Sequence, residues 1–449
     1  MENNAVPWWD GAFSGSLRRP WEDYKIDAVK QPERPKLLAI MGPGLITGAS
    51  DDDPSGIATY SQVGAQFGYG LGWTLVFSYP LMAAIQEISA RIGRVTGRGI
   101  AGNLRRYYPA WLLRSIVLLL LVANTINIGA DLGAMGAALK LLIGGPSLVY
   151  VIGFAAITIL LEVFVRYSRY VSVLKYLTLS LLAYVATVFV VGTPWGKVAW
   201  SILVPPIALD KDYVLAVVAV LGTTISPYLF FWQAEEEVEE EKEAPEKAPL
   251  TQAPLQAPSE FRRIRIDTYV GMALSNLVAL FIVITTAATL NAHGVTDIQT
   301  SAQAAEALRP IAGPFAFALF ACGIVGTGLL ALPVLAGSAA YALGEAMQWP
   351  VGLAQKPGRA RGFYLTIAIA TVIGAAMNFS PIDPIKALFW SAVINGVVAA
   401  PVMAIMMLMT RRPDIMGQFV LPPILRILGW LGTAVMAATV LALAVTSFN

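Results

Sequence analysis

The chain of 449 residues is 56% hydrophobic and only 13% charged, with a mean hydropathy of +0.64. A soluble domain usually carries about 25% charged residues, so this composition is typical of a membrane protein. The net charge of +2 gives no reason to expect a nucleic-acid partner, and a single cysteine, Cys322, excludes an internal disulfide. Residues 1–36 are polar and lack the apolar core of a secretory signal, so we expect a cytoplasmic N-terminal segment.

Hydropathy in windows of about 19 residues predicts eleven membrane-spanning helices. They are residues 37–67, 70–90, 113–141, 147–165, 170–192, 213–234, 267–290, 314–341, 363–379, 385–408 and 424–446. Lysines and arginines concentrate in every second loop, and the positive-inside rule therefore predicts a cytoplasmic N-terminus and a C-terminus outside the cell. We expect a monomeric, multi-pass protein of the plasma (cell inner) membrane, in contact with the lipid bilayer.

Three aspartates and a proline interrupt the first predicted span, at Asp51, Asp52, Asp53 and Pro54. A helix of about 14 residues is only about 21 Å long, whereas the hydrocarbon core of a bilayer is about 30 Å thick, so neither half can cross alone. Joined, the halves form one span whose break lies near mid-depth, where charged side chains persist only if they line a cavity or bind a ligand. The alternative, an acidic external loop, would leave two helices too short to span.

Span 6 has a similar break, in which Thr223, Thr224 and Ser226 precede Pro227. Because five spans come before it, a repeat that begins at span 6 starts from the opposite side of the membrane. The predicted first repeat is 37–192 and the second is 213–408, with an eleventh span at 424–446. Interrupted helices at matching places in two inverted halves indicate a transporter site, although a chance proline kink is the alternative.

The only low-complexity stretch of the sequence is 235–260, which is rich first in glutamate and then in alanine and proline. Such a composition cannot build an apolar core, so it predicts a disordered cytoplasmic loop. Its glutamates could gather cations, but a solvated run of charge is the favoured interpretation.

The motifs of these spans resemble those of the NRAMP divalent-metal transporters. Gly42-Pro43-Gly44, Asp53-Pro54 and Phe67-Gly68-Tyr69 occur where the family carries a GPG, a DPGN and an FGY. Ala130-Asp131-Leu132 is similar to the family's A-x-D-L-A-E in span 3, and residues 222–228 are similar to its G-A-T-V-M-P-H in span 6. The resemblance implies an all-α membrane protein with eleven transmembrane helices and a LeuT-like 5+5 inverted repeat, in which helices 1 and 6 are broken.

The departures from the family's motifs concern the residues that bind the ion. In the family an aspartate, an asparagine and a methionine bind through side chains, and an alanine binds through its carbonyl. The corresponding residues here are Asp53, Gly56, Ser226 and Thr223. The family's span-6 histidine is Tyr228 and its span-3 glutamate is Ala134, although Asp131 remains. This pattern resembles the NRAMP-related magnesium transporters, a branch of the same superfamily.

Loss of the methionine changes the ions that such a site favours. A thioether is a soft ligand, whereas Mg²⁺ prefers oxygen, dehydrates reluctantly and is usually held by one or two carboxylates with several waters. Asp53 with the Thr223 and Ser226 hydroxyls, in the room left by Gly56, therefore predicts a site for partly hydrated Mg²⁺, with Mn²⁺ as a second ion. Further candidates around this site are Asp52, Asp131, Asn395 and Tyr228.

Other polar residues in the spans have weaker claims to a functional role. Asn124, Asn127 and Asp131 share one face of span 3, where lining a cavity and bonding to a neighbouring helix are equally plausible. For Asn276, Ser391 and Asn395, bonding between helices is the favoured interpretation. The pairs Glu87–Arg91 and Glu162–Arg166 are predicted to be surface ion pairs, and the only histidine, His293, falls in an outer loop.

We therefore predict a secondary transporter rather than an enzyme, which imports Mg²⁺ and Mn²⁺ as cargo, uses no cofactor and is not coupled to protons. A proton-coupled Mn²⁺/Fe²⁺ symporter of the NRAMP type and a Na⁺-coupled organic-solute transporter of the same fold are alternatives. Three aspartates at the break would repel a carboxylate substrate. A membrane-embedded enzyme acting on a diphosphate would need a second acidic cluster and basic residues, and span 6 offers neither.

Overall fold

The computed structural model describes residues 47, 48, 50–165, 177–208, 210–244 and 246–448, the last without its side chain. The predicted N-terminal segment, residues 37–46 of span 1 and residues 170–176 of span 5 lie outside this part of the chain. Within it the regular secondary structure is helical and includes no strand, so the predicted all-α class is confirmed.

The described helices follow the hydropathy pattern closely. The first half contains α1 (Pro54–Phe67), α2 (Gly72–Thr96), α3 (Ile100–Tyr107), α4 (Ala110–Ile143), α5 (Ser147–Phe164), α6 (Leu182–Val190) and α7 (Trp195–Leu203). The second half contains α8 (Lys211–Thr224), α9 (Pro227–Glu243), α10 (Ala257–Thr289), α11 (Ser301–Glu306), α12 (Arg309–Ala312), α13 (Ala316–Met347), α14 (Arg361–Met377), α15 (Pro384–Met409), α16 (Pro413–Met416) and α17 (Pro423–Phe448). Short 3₁₀ turns occur at Leu177–Leu181, Pro254–Gln256, Asn291–His293 and Gly313–Phe315.

Seven of the described helical stretches are long and apolar enough to cross a membrane, or eight if the bent pair formed by Leu179–Val190 and Trp195–Leu203 counts as one span. The remaining predicted spans coincide with helices that are shorter or more polar. α1 has only 14 residues and α14 has 17, whereas α2 has 25 but carries Glu87, Arg91 and Arg94 near its end. A described helix thus occurs at each of the eleven predicted positions.

The acidic segment 235–260 is folded, so the prediction of disorder is wrong for its described residues. α9 continues past the predicted end of span 6 to Glu243, and the chain then packs along α2, where Leu250 donates its N–H to the Arg94 carbonyl at 3.2 Å. Glu237 pairs with Arg263 of α10, and Glu241 pairs with Arg94 at 3.0 Å. The composition of this segment does not show that it folds, because the arginines that compensate its glutamates are distant in the sequence.

The Glu87–Arg91 pair forms as predicted, with Nη2 and Oε1 2.6 Å apart, but its position is not the predicted surface. Both side chains are at most 5% exposed, and the Arg91 guanidinium lies 4.3 Å from the centre of the Phe261 ring. Glu162 is also buried, and its carboxylate has no hydrogen-bond partner among the described residues, whereas Arg166 lies outside them. The sequence pattern missed this burial because it depends on helices that pack against these residues from elsewhere in the chain.

Close helix packing gives a first testable prediction, at the crossing of α8 and α15. A Cβ on Gly222 would overlap the Ala392 carbonyl oxygen and lie 2.5 Å from the Gly396 nitrogen, and these backbone atoms cannot move aside. We expect Gly222→Ala to lower the free energy of unfolding by about 1–3 kcal/mol or more, because overpacking forces the backbone to shift. Thermal unfolding of the purified protein in detergent measures the change.

The matched control is Gly153→Ala in α5, where a Cβ would meet no atom within 4 Å. This change should leave the unfolding temperature unchanged or raise it slightly, because alanine favours a helix more than glycine does. Equal unfolding temperatures for the two variants would contradict the close contact between α8 and α15.

Candidate metal-ion site

The break in the first span leaves Asp53 as the N-cap of α1. Residues 50 and 51 are helical, the helix is interrupted at Asp52 and Asp53, and Pro54 begins the next helix. Asp53 Oδ1 accepts hydrogen bonds from the Ser55 hydroxyl at 2.6 Å and the Gly56 N–H at 2.7 Å. Aspartate at an N-cap followed by proline at the first helical position is a favoured helix start, so local sequence fixes the orientation of this carboxylate.

The other oxygen of Asp53 contacts two further helices. Asp53 Oδ2 accepts hydrogen bonds from Asn127 Nδ2 of α4 at 3.1 Å and from the Tyr228 hydroxyl of α9 at 3.3 Å. The Tyr228 hydroxyl is also 3.3 Å from the Ser50 carbonyl oxygen. Since Asp53 is only 1% exposed, a charged group is held inside the protein by donors from three helices.

The second break, between α8 and α9, adjoins the first. A Cβ on Gly56 would lie 3.2 Å from Thr223 Oγ1 and 3.3 Å from the Asp51 carbonyl oxygen. Thr223 therefore lies beside the first turn of α1, next to the Asp53 cap. The structure thus brings together Asp53, Gly56, Thr223 and Tyr228, from the two predicted breaks.

Ser226, at the start of α9, is engaged with the end of α8. Its hydroxyl donates to the Gly222 carbonyl at 2.8 Å and to the Thr223 carbonyl at 3.0 Å. This arrangement satisfies carbonyl groups that the interruption of the helix leaves without partners. Donating these bonds leaves the lone pairs of the Ser226 hydroxyl oxygen available for an ion.

Asp51 and Asp52 face a different helix from Asp53. The Ser275 hydroxyl of α10 lies 2.7 Å from Asp51 Oδ2 and 3.2 Å from Asp52 Oδ1. Both aspartates are buried and at most 5% exposed. The described residues contain no group of three or more acidic, histidine or cysteine side chains that could hold a metal ion. The hydrogen-bond donors around the Asp53 carboxylate are all neutral groups.

Asp131 and Asn395 are buried and have free hydrogen-bonding atoms. Both carboxylate oxygens of Asp131 in α4, and both amide atoms of Asn395 in α15, lack hydrogen-bond partners among the described residues. Buried polar atoms normally have a partner in the protein or an ordered water, so these two side chains are places where water or an ion could bind.

The other polar residues of the spans bond to neighbouring backbone. Asn124 Nδ2 donates to the Leu335 carbonyl at 2.8 Å, and Asn276 Nδ2 donates to the Leu75 carbonyl at 2.9 Å. The Ser391 hydroxyl donates to the carbonyl of Leu388 in its own helix at 2.7 Å. The interpretation as helix-packing bonds is confirmed for Asn276, and Asn124 has the same role.

Sequence reasoning missed Ser55 and Ser275, which bond to the aspartates, and the bond from the Thr47 hydroxyl to Gln233 Oε1 at 2.6 Å. Ser55 could have been found, since a hydroxyl two residues after an N-cap aspartate is well placed to reach it. Ser275 could not, because the rotation of α10 about its axis decides whether Ser275 or Asn276 faces the break.

A polar cavity of about 280 Å³ lies near the end of α1 that is remote from the break. Its polar lining comprises Gln62, Gln66, Asp212, Asp297 and Lys386. These side chains come from α1, α8, α15 and the loop before α11.

The fold with its two adjoining breaks is that of helical membrane transporters. The chain is similar to the manganese transporter of Eremococcus coleocola, with a TM-score of 0.70 and 17% identity over 90% of this chain and 85% of that one. It is also similar to MHP1, a nucleobase-cation-symport-1 family transporter, with a TM-score of 0.55 and 13% identity over 91% and 93% of the two chains. These likenesses confirm the predicted LeuT-like fold class.

The sequence identifies the family within that class. A family model described as natural resistance-associated macrophage protein-like (Nramp) matches residues 44–446, so the chain belongs to the Nramp family. It is 25% identical over 409 residues to the divalent metal cation transporter MntH of Klebsiella pneumoniae, covering 89% of this chain and 92% of that protein. For MntH of Yersinia enterocolitica the identity is 26% over 420 residues, covering 90% and 94%. These relatives are membrane transporters, in agreement with the prediction of a protein that is not an enzyme and has no resident cofactor.

Proposed function

We propose that this protein imports divalent cations, above all Mg²⁺ and secondarily Mn²⁺, and binds the partly hydrated ion at Asp53. The observation that carries the proposal is the set of side chains on this buried carboxylate. The side chains that bond to Asp53 belong to Ser55, Asn127 and Tyr228, and none of them contains sulfur. A hard-ligand site with one carboxylate suits Mg²⁺ that keeps part of its water shell.

Each residue at the two breaks has a distinct role in this proposal. Asp53 supplies the negative charge that a divalent ion needs inside a membrane protein. Gly56 lets the first turn of α1 lie close to the Thr223 hydroxyl, since even a Cβ at this position would be 3.2 Å from Thr223 Oγ1. The Ser226 hydroxyl donates to a carbonyl at the end of α8. Because serine stands where the family has methionine, this position lacks the soft ligand that would favour Mn²⁺ or Cd²⁺ over Mg²⁺.

We propose that the ion arrives from the polar cavity at the remote end of α1, where Asp212 and Asp297 attract cations. This route requires a cytoplasmic N-terminus and an external C-terminus in the plasma membrane, the orientation that the distribution of basic residues predicts. Since both breaks lie within one chain, a monomer contains the whole proposed site.

Selectivity provides a test of the proposed ligand set. Gly56→Asn combined with Ser226→Met should weaken Mg²⁺ transport relative to Mn²⁺ or Cd²⁺, because a thioether is added and the space beside Thr223 is filled. Competition between the ions for uptake into proteoliposomes measures the ratio. An unchanged ratio in a transport-competent variant would show that these positions do not choose the ion.

Each single change controls for the pair. Gly56→Asn tests space alone, and Ser226→Met tests the ligand alone. An asparagine Cβ at position 56 would begin 3.3 Å from Tyr60 Cε2 as well as near Thr223, so thermal unfolding must first show that this variant is folded.

We further propose that transport is driven by voltage and is not coupled to protons. Tyr228 stands where the family's histidine would be, and a phenol with an ordinary pKa of about 10 exchanges protons poorly near neutral pH. Its hydroxyl instead donates to Asp53. Two charges crossing 100 mV gain ~4.6 kcal/mol, about a 2,000-fold gradient at equilibrium, so import needs no second ion.

The test uses liposomes that contain a pH dye and a Mg²⁺ dye. We expect external Mg²⁺ to enter under an interior-negative potential without acidification of the lumen. Acidification that scales with Mg²⁺ uptake would favour the second candidate function, a proton-coupled Mn²⁺/Fe²⁺ symporter. The observation that supports this candidate is the buried carboxylate of Asp131. It has no hydrogen-bond partner among the described side chains and could accept a proton.

A further inference from the structure

A groove lies outside the ion site, between the end of α15 and the first turns of α17. Its volume is about 540 Å³, and it is lined by Arg411, Arg426, Ile427, Trp430 and Leu431. The charge pattern places this groove at the cytoplasmic end of the last two spans.

The two arginines of the groove are exposed, and no described side chain is paired with them. Neither Arg411 nor Arg426 has an ion pair or side-chain hydrogen bond within the described part of the chain. Their neighbour Arg412 differs because it is paired with Asp414, with Nη2 lying 2.6 Å from Oδ2. Hydrogen bonding from Arg412 lowers the pKa of the Asp414 carboxyl below its ordinary value. Two positive charges therefore remain available for an anion.

The wall of the groove is apolar and faces away from the protein. Ile427 and Leu431 are one helical turn apart on α17 and are 63% and 50% exposed, and Trp430 lies beside them. Only 28% of the spanning window of α17 is buried within the protein, so this helix presents most of its surface to lipid. Tryptophan and arginine at a helix end are typical of the boundary between lipid and water.

We infer that this groove binds an anionic phospholipid, with the phosphate between Arg411 and Arg426 and an acyl chain along Ile427 and Leu431. Arginine binds phosphate oxygens through two parallel hydrogen bonds, and two arginines supply the charge for one phosphate. A water-soluble anion would use the arginines but not the apolar wall. Basic pockets beside spanning helices on the cytoplasmic side are a common lipid-headgroup site.

Native mass spectrometry of the full-length protein in detergent tests this inference, with phosphatidylglycerol and phosphatidylcholine of the same acyl chains as probes. We expect wild-type protein to retain phosphatidylglycerol in preference. Because each basic residue near a lipid surface contributes about fivefold to binding, Arg411→Gln with Arg426→Gln should weaken retention ~30-fold. Arg262→Gln is the matched control, because Arg262 is also exposed and has no ion pair among the described residues.

Equal retention by the double variant and the control would overturn the inference, and so would equal retention of the two lipids by the wild type. Displacement of phosphatidylglycerol by millimolar inorganic phosphate would also contradict it, since it would make the groove a site for free anions. Replacing both arginines with lysine should restore much of the retention, which separates lost charge from lost folding. Mg²⁺ uptake is not part of this readout, so the result is independent of the proposed function.

Discussion

Replacing Asp53 with alanine is expected to abolish both Mg²⁺ binding and Mg²⁺ uptake. Asp53 is the carboxylate on which donors from three helices converge, so the variant loses the charge that we assign to balancing the divalent ion. The measurement is calorimetric titration of the purified protein with MgCl₂, followed by uptake into proteoliposomes. Robust uptake by a folded Asp53 variant would refute the site assignment.

Asp53→Asn sharpens this test, because alanine also removes the N-cap of α1, which alone is worth about 1 kcal/mol. Asparagine keeps a cap acceptor and the shape of the side chain, so a loss of transport in this variant reports on charge. Glu306→Gln is a suitable control, since Glu306 is an exposed carboxylate paired with Arg309. Glu87 is not, although it resembles a surface residue in sequence, because it is buried against Arg91.

Replacing Arg94 with methionine is expected to destabilise the protein by about 3–5 kcal/mol, the range for removing one partner of a buried ion pair. The Arg94 side chain is 1% exposed and bonds to Glu241 at 3.0 Å and Glu260 at 3.2 Å. It also donates to the Ala248 carbonyl at 2.6 Å and to Gln256 Oε1 at 2.8 Å. Its loss would leave Glu241 without its ion-pair partner, although Glu260 keeps Arg263 and Lys247, and would release the segment that follows α9.

Thermal unfolding in detergent and limited proteolysis measure this effect together. We expect a lower unfolding temperature and new cleavage within residues 244–256, while Arg262→Met behaves like the wild type. If Arg94→Met unfolded at the wild-type temperature and resisted the protease, the ion pairs would not be what keeps this acidic segment folded.

The central features of the site could be predicted because their residue types do not fit an uninterrupted apolar helix. A proline and three carboxylates within apolar sequence mark the break at Asp53, and Pro227 after Thr223 and Ser226 marks the second one. Gly56 and Thr223 are 167 positions apart in the sequence. Their proximity is expected once the two breaks are assumed to adjoin, and the structure places them side by side.

The acidic segment shows where sequence reasoning fails. Glu237 and Glu241 look like solvated charges when only their neighbours in sequence are considered. Their partners, Arg263 and Arg94, lie on α10 and α2, and only the tertiary packing reveals that these charges compensate one another. The same limit applies to Ser275, whose contact with Asp51 and Asp52 depends on the rotation of α10.

The most direct test of the proposed function is a measurement of which ion the wild-type protein transports. Proteoliposomes that contain the wild-type protein and a Mg²⁺ dye, held at an interior-negative potential, should report Mg²⁺ entry that external Mn²⁺ reduces by competition. The same liposomes with Asp53→Asn should report none. The proposed magnesium site would be contradicted if the wild-type protein transported Mn²⁺ but not Mg²⁺, and if excess Mg²⁺ did not inhibit the entry of Mn²⁺.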